Sequence, residues 1–229
     1  MDAKAFRTVL GTLLRRYRPR NWAEGRDPFE TLMSIIVSQN STDLVTERVM
    51  ADLRSRMPIT APSIAAARES DLVRVLRPAG LARREVPKIG EAAQVLVREY
   101  GGTMDAFLDV PTGRGREMLL ALPGVGPKTA DVWLSLVGGR ATMPIDTHIG
   151  RLARRWHLVR PAASYAETTA ALKALIPPSR RRRGHLALIY FGREICRARR
   201  PRCEVCPVYR WCDADVKRVR TRRAHATEL

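Results

Sequence analysis

Long apolar runs are missing from this chain of 229 residues. No stretch approaches the roughly 18–20 consecutive apolar residues that cross a bilayer, which excludes a helical membrane protein. The first residues, Met1 to Phe6, lack the apolar core of a secretory signal. Hydrophobic residues still make up 45% of the chain, a share that is ordinary for a globular protein and excludes a disordered one. We therefore expect a cytoplasmic protein.

Strand signals are missing as well. No segment alternates apolar and polar residues, no Asn-Gly turn occurs, and no internal repeat is evident. The spacing of apolar residues is helical instead, beginning with Phe6, Val9, Leu10, Leu13 and Leu14. Further helices are predicted over residues 29–38, 83–100, 112–122, 127–137, 147–156, 165–176 and 185–196. The chain is predicted to be all-α with short connections.

Acidic residues and lysine are scarce. The chain has 41 basic and 23 acidic residues, a net charge of +18 and a pI near 11.1, and only 5 of the basic residues are lysine. Such an excess indicates a nucleic acid as partner. A membrane surface is a weaker alternative, because no helix combines a strongly basic face with a strongly apolar one. Residues 178–229 hold 15 basic and 5 acidic residues, including the run Arg180 to Arg183.

Cysteine is absent except within one stretch of 17 positions near the end of the chain, which contains Cys196, Cys203, Cys206 and Cys212. In a reducing compartment, thiols this close together favour metal ligation over disulfides. The spacing alone leaves both zinc and an iron–sulfur cluster open, although zinc sites more often pair two CxxC units and only one is present here. The loop after Cys196 is rich in arginine, which indicates a basic loop held against a polyanion.

A glycine-rich turn at 122–130 joins two predicted helices. Gly124 and Gly126 let the backbone approach a ligand closely, and Pro127 suits the first turn of the following helix, where its missing N–H costs nothing. Free N–H groups at a helix start lie at the positive end of the dipole, which is a phosphate-binding arrangement. The alternative to phosphate binding is a tight turn between two helices that requires glycine only for its backbone conformation.

Lys128 follows directly on this turn, in a chain that otherwise prefers arginine. A deprotonated lysine amine is a nucleophile, whereas a guanidinium is not. The N-terminal end of a helix disfavours the cationic form of the amine. A contact with phosphate is the alternative role for this side chain.

Asp146 comes eighteen residues later, at the expected N-cap of the helix that carries Ile149, Leu152 and Trp156 on one side. A role as N-cap would by itself explain why this position is occupied by an aspartate. A held, ionised carboxylate can also stabilise a developing sugar cation and help to position or deprotonate a lysine. His148 is expected to be an N-terminal helix residue rather than a catalytic base.

The turn 122–130, the stretch Ile145-Asp146-Thr147-His148 and the cysteine spacing together resemble the endonuclease III family of DNA glycosylases, over roughly residues 5–215. The resemblance implies two helical lobes with a DNA cleft between them. One is a six-helix barrel at 22–137 that contains the helix–hairpin–helix. The other, at 1–21 plus 138–229, carries a [4Fe-4S] cluster on the four cysteines and ends in a basic tail at 213–229.

The resemblance also implies the activity. Because Lys128 occupies the hairpin position, the chain resembles the bifunctional branch, which removes oxidised pyrimidines from duplex DNA and nicks the strand by β-elimination through a lysine Schiff base. Asp146 would stabilise the charge on the sugar. Gln39 would fill the gap left by the flipped nucleotide, and Leu81 would wedge between bases, unless it packs in the core. The other expected DNA contacts are Gly124, Val125, Gly126, Thr129, His148, Arg151, Arg154, Arg200 and Arg202.

Two other functions remain open at this point. The first is a monofunctional glycosylase for uracil or thymine mismatches, in which Lys128 only contacts phosphate. The second is a non-catalytic DNA-binding or redox-sensing protein that retains the hairpin and the cluster. For the bifunctional enzyme we expect a monomer in the cytoplasm of a prokaryote, associated with the nucleoid.

Overall fold

The computed structural model describes residues 1–81, 85–212, 214, 215 and 217, and these residues form helices and loops without a β-strand. The all-α prediction is confirmed. The start of the long helix predicted from residue 83, and most of the basic tail at 213–229, lie outside the described residues. The α-helices of the described part are α1 Ala3–Tyr17, α2 Pro28–Val37, α3 Asp43–Arg56, α4 Ala61–Ala66, α5 Glu69–Leu76, α6 Glu85–Tyr100, α7 Thr112–Ala121, α8 Pro127–Leu136, α9 Thr147–Arg155, α10 Tyr165–Leu175 and α11 Arg181–Glu194.

The chain divides into two compact units. The hairpin unit comprises Trp22–Arg140, and the cysteine unit comprises Met1–Asn21 together with Ala141–Leu229. The junction falls at Arg140, a few residues after the one expected at 137. Each unit has its own apolar core.

The core of the hairpin unit is built around α2 and α8. Helix α2 is apolar on nearly all sides, and its residues from Phe29 to Val37 are buried with the exception of Glu30. Trp133 on α8 is fully buried, and its Nε1 donates to Pro28 O at 2.9 Å, which ties α8 to the first residue of α2. This contact fixes the helix that carries Lys128 on its first turn.

The core of the cysteine unit joins α1, α9 and α11. Trp156, which follows α9, stacks on Phe191 of α11 with ring centroids 5.8 Å apart, and Phe6 of α1 meets the Trp156 ring edge-on at 6.2 Å. Helix α11 begins at Arg181 and not at 185, so the predicted start was wrong. The first turn carries arginines without an apolar stripe, and apolar spacing therefore gave no signal there.

Helices long and apolar enough to span a bilayer are not found among the described residues.

Candidate active site and metal centre

The turn between α7 and α8 is anchored by its apolar residues and shaped by its glycines. Leu122 and Val125 are buried, and the Val125 amide donates to Leu122 O at 3.1 Å. Gly124 has a φ of 78°, and a Cβ there would lie 3.2 Å from Lys88 Cβ. A left-handed backbone and close packing both require glycine at this position. Because the Val125 side chain is buried, any contact of this residue with a ligand would be made by its backbone.

Lys128 lies in the first turn of α8 and is half-buried. Gly126 is the N-cap of this helix, and no side chain caps it. Thr129 is buried, and its hydroxyl accepts a 3.0 Å hydrogen bond from Gln39 Nε2. The structure thus brings Gln39 next to the residue that follows Lys128, a contact across 90 positions that the sequence did not indicate.

A charged pair joins the two helices of the hairpin. Arg116 on α7 donates from Nε to Asp131 Oδ1 at 2.8 Å and from Nη2 to Oδ2 at 3.4 Å. The side chain of Asp131 is only 6% exposed, and that of Arg116 is 35% exposed. Asp131 lies one helical turn after Lys128, so the pair holds the orientation of the segment that presents the lysine.

We expect Arg116→Ala to lower the free energy of unfolding by about 2–4 kcal/mol, because it leaves the buried carboxylate of Asp131 without this partner. Arg114→Ala is the matched control on the same helix. Its partner Glu117 is exposed, so the loss should stay below about 1 kcal/mol. Urea denaturation of the two variants measures the difference, and equal losses would contradict a structural role for the Arg116 pair.

Asp146 is the N-cap of α9, as predicted. Its Oδ1 accepts from the Ile149 amide at 2.7 Å, and its main-chain oxygen accepts from the Gly150 amide at 2.9 Å. The carboxylate is half-buried, and Oδ2 has no hydrogen-bond partner within the described part of the chain. One oxygen is therefore fixed by the helix while the other can face a ligand.

Two histidines support the start of α9. The buried ring of His185 places Nδ1 3.0 Å from Pro144 O, two residues before Asp146. His148 Nδ1 lies 3.1 Å from Arg151 Nη2. Burial is the main cause that lowers the pKa of His148 below its usual value, and this favours the neutral ring. These contacts are consistent with the expected role of His148 as a residue of the helix start.

Arg151 is engaged inside the cysteine unit. Its Nε donates to Cys196 O at 3.1 Å, and its Nη2 donates to Gly192 O at 2.8 Å. Burial lowers its pKa. The guanidinium that we expected to contact DNA phosphate instead ties α9 to the end of α11, because two carbonyls and the His148 ring converge on it. Arg154 on the same helix is exposed.

Arg155 holds the start of the arginine-rich loop, and the sequence gave no indication of this. Its Nη1 donates to Cys196 Sγ at 3.2 Å and to Arg197 O at 2.7 Å, while Nη2 donates to Ala198 O at 2.9 Å. The loop closes where the Arg202 amide donates to Ile195 O at 2.9 Å. Arg200 and Arg202 are exposed, as a role in binding a polyanion requires.

The four cysteines form no disulfide, and all of them line one pocket, together with the aromatic side chains of Trp156 and Phe191. Burial, followed by the charges of the neighbouring cysteines, raises the pKa of Cys206 to about 11. Four thiolates in such a pocket therefore need a cationic group. Within the described ranges, no three His, Cys, Asp or Glu side chains are grouped to hold a single metal ion. Four cysteine thiolates around one pocket are a ligand set that an iron–sulfur cluster uses, and the donor atoms present therefore fit such a cluster.

The segment after Cys212 contributes to the same pocket. Lys217 Nζ donates to Cys212 O at 2.7 Å and to Tyr209 O at 2.8 Å, and it lies 4.0 Å from the centre of the Tyr209 ring. Trp211 is half-buried and packs at the edge of the core beside the cysteines. Lys217 and Arg155 both support the cysteine pocket through hydrogen bonds, and the sequence gave no indication of either role.

Leu81 lies in the core of the hairpin unit. Its side chain is only 2% exposed and belongs to the apolar cluster of that unit. The expected wedge between bases would require an exposed side chain, so the structure corresponds to the alternative of core packing. Gln39, by contrast, is exposed.

Two family models match the chain. Residues 33–178 match the HhH-GPD superfamily of base excision DNA repair proteins, and residues 196–212 match the iron–sulfur binding domain of endonuclease III. The second match covers all four cysteines, so the cluster predicted from the resemblance is confirmed as the cofactor of this segment.

Similar proteins and structures agree with these models. Endonuclease III of Thermotoga maritima is 33% identical over 195 residues, which are 85% of this chain and 86% of that protein. The enzyme of Bacillus subtilis is 32% identical over 84% of both chains. A solved structure described as a trapped endonuclease III–DNA covalent intermediate has a TM-score of 0.84 and 29% identity, and the match covers 96% of this chain and 99% of that one. The chain belongs to the HhH-GPD superfamily and, within it, to the endonuclease III family of iron–sulfur DNA glycosylases with AP lyase activity.

Proposed function

We propose that this protein removes oxidised pyrimidines from duplex DNA and then nicks the strand at the resulting abasic site. Its substrate is double-stranded DNA with a damaged base or an abasic site, on which it acts as a monomer in the cytoplasm, at the nucleoid. The observation that carries the proposal is a lysine, Lys128, in the first turn of the helix that follows the hairpin. The uncapped start of α8 offers amides to a phosphate beside that lysine.

The chemistry assigned to Lys128 is covalent. Its unprotonated Nζ attacks C1′ of the damaged nucleotide, and the base leaves with the electrons of the glycosidic bond. Opening of the sugar ring gives an iminium ion, the Schiff base between Nζ and C1′. Loss of a proton from C2′ then expels the 3′ phosphate, which is β-elimination.

Asp146 supports this reaction through charge. Its free Oδ2 is an ionised oxygen on a carboxylate whose other oxygen is fixed by the Ile149 amide. A fixed anion stabilises positive charge as it develops on the sugar ring and needs no reorganisation to do so. The same carboxylate can accept a proton from the lysine.

The remaining groups of the proposed site bind DNA or hold the cofactor. The amides of Gly124 and Gly126 and the exposed Arg154, Arg200 and Arg202 contact backbone phosphates, and the buried Val125 anchors the turn that carries these amides. Gln39, which Thr129 holds by a hydrogen bond, offers an amide to the base left without a partner. Cys196, Cys203, Cys206 and Cys212 hold the [4Fe-4S] cluster, which keeps the loop 197–202 in place and takes no part in bond breaking.

A substrate panel tests this function. The purified protein is incubated with otherwise identical duplexes that contain thymine glycol, uracil opposite guanine, or thymine opposite guanine, and released base and strand nicks are quantified separately. We expect base release and nicking in nearly equal amounts on the thymine glycol duplex alone. Release from the uracil or thymine mismatch without nicking would identify a monofunctional glycosylase. DNA binding without any base release would identify a non-catalytic protein.

A further inference from the structure

The run Arg180 to Arg183 contains one structural arginine and three that face solvent. Arg181 donates from Nε to Ile176 O at 3.1 Å, from Nη1 to Ala141 O at 2.9 Å and from Nη2 to Lys173 O at 3.0 Å. Its guanidinium thus fastens the start of α11 to the end of α10 and to the segment that begins at Ala141. Arg180, Arg182 and Arg183, which we call the arginine patch, are exposed.

The arginine patch has no compensating negative charge nearby in the chain. None of the three side chains makes a hydrogen bond or ion pair within the described ranges, and the first turn of α11 contains no acidic residue. Arg180 is the N-cap, and no side chain caps the helix. Three cations at the positive end of a helix repel one another and the dipole. An anion bound there would relieve both repulsions.

The backbone under the patch is held firmly. Pro177 and Pro178 precede it, and the Arg180 amide donates to Pro177 O at 2.9 Å. Gly184 is buried, and a Cβ there would lie 3.4 Å from Leu10 Cδ1 of α1. The three guanidinium groups therefore extend from a fixed turn, so little backbone entropy is lost when they bind.

Two neighbours of the patch on α11 contact the segment that leads to Asp146. Arg181 binds Ala141 O, and His185, only two residues after Arg183, binds Pro144 O. These contacts hold the first turns of α11 against the segment 141–144, and Asp146 follows two residues after Pro144. The arginine-rich loop 197–202 follows the opposite end of α11, whose 14 residues span roughly 21 Å.

We propose that Arg180, Arg182 and Arg183 form a second phosphate-binding surface, which contacts the backbone of duplex DNA flanking the lesion. Guanidinium groups match phosphate oxygens in a bidentate geometry. The span of α11 corresponds to roughly six base pairs at 3.4 Å each, so the patch and the loop 197–202 would contact phosphates at two places along one duplex. This proposal rests on the proposed function only for the identity of the ligand, which is the DNA that the enzyme repairs.

The test measures the salt dependence of DNA affinity. Wild type and the triple variant Arg180→Gln, Arg182→Gln, Arg183→Gln are titrated at several KCl concentrations with a short and a long duplex, each with a central abasic-site analogue. On the long duplex the slope of log K against log[KCl] should be shallower in the triple variant by about 2 to 3, since each phosphate contact contributes about 0.9. On a duplex cut back to a few base pairs beside the lesion, the two proteins should differ little.

A second triple variant controls for net charge. Arg7, Arg20 and Arg48 are also exposed and have no side-chain partner within the described ranges, so their replacement by Gln removes the same charge elsewhere. An equal loss of slope in both triple variants, or no loss in either, would overturn the proposal. Covalent trapping by wild type with borohydride is measured in parallel. Absence of trapping would refute the proposed lyase chemistry, whereas the salt slopes would still decide the question of the patch.

Discussion

Lys128→Gln is expected to abolish strand nicking and borohydride trapping on a thymine glycol duplex, with a loss of at least about 100-fold in the rate of base release. The amide of glutamine keeps the length and polarity of the side chain but cannot attack C1′. Because Lys128 is half-buried in the first turn of α8 and not in the core, the variant should fold normally. Gel separation of nicked strand and covalent adduct measures both effects.

A lysine elsewhere provides the control for this variant. Lys173 near the end of α10 is exposed, and Lys173→Gln removes the same charge without touching the hairpin. This variant should nick and trap like wild type. DNA affinity of Lys128→Gln should fall only by the equivalent of one phosphate contact. If Lys128→Gln still formed the adduct, the nucleophile would be a different amine.

Asp146→Asn is expected to lower the rate of base release by about 10²- to 10³-fold, with little change in the unfolding midpoint. Asparagine caps a helix about as well as aspartate, so the 2.7 Å contact with the Ile149 amide can be kept while the negative charge is lost. Removal of a fixed electrostatic group aimed at developing charge typically has an effect of this size. Single-turnover release of the base, together with thermal unfolding, separates catalysis from folding.

Two comparisons sharpen this prediction. Asp146→Ala should lower the rate of base release by the same factor. In addition, it should lower the free energy of unfolding by about 1 kcal/mol, because the N-cap is missing. Asp27→Asn changes another N-cap aspartate, which accepts from the amides of Phe29 and Glu30 at the start of α2, and it should leave activity unchanged. An Asp146→Asn enzyme as fast as wild type would limit Asp146 to capping.

Local sequence signals correctly predicted those structural features that depend on residues adjacent in the chain. The spacing of apolar residues located most helices, and Asp146 was recognised as an N-cap because the cap and its helix are adjacent in sequence. The glycine turn before Lys128 was recognised for the same reason. Predictions failed where no local signal exists, as at the start of α11, where Arg181 donates to the distant carbonyl of Ala141.

The contacts that arrange the site are between residues far apart in sequence. The Gln39–Thr129 hydrogen bond, the Arg116–Asp131 pair and the bonds of Arg155 to the cysteine loop all arise from tertiary packing. Residue type alone could not separate Arg151, which binds carbonyls of α11 and Cys196, from an arginine that binds phosphate. Likewise, an apolar residue at a loop, Leu81, could be assigned to the core only once its burial was known.

The covalent role of Lys128 is tested most directly by mapping the trapped adduct. Wild-type protein is incubated with a thymine glycol duplex in the presence of sodium borohydride, the adduct is digested with protease and nuclease, and the modified peptide is sequenced by mass spectrometry. We expect a reduced sugar remnant on Lys128 and on no other lysine. An adduct on a different amine, or base release without any adduct, would contradict the assignment of Lys128 as the nucleophile of a bifunctional glycosylase.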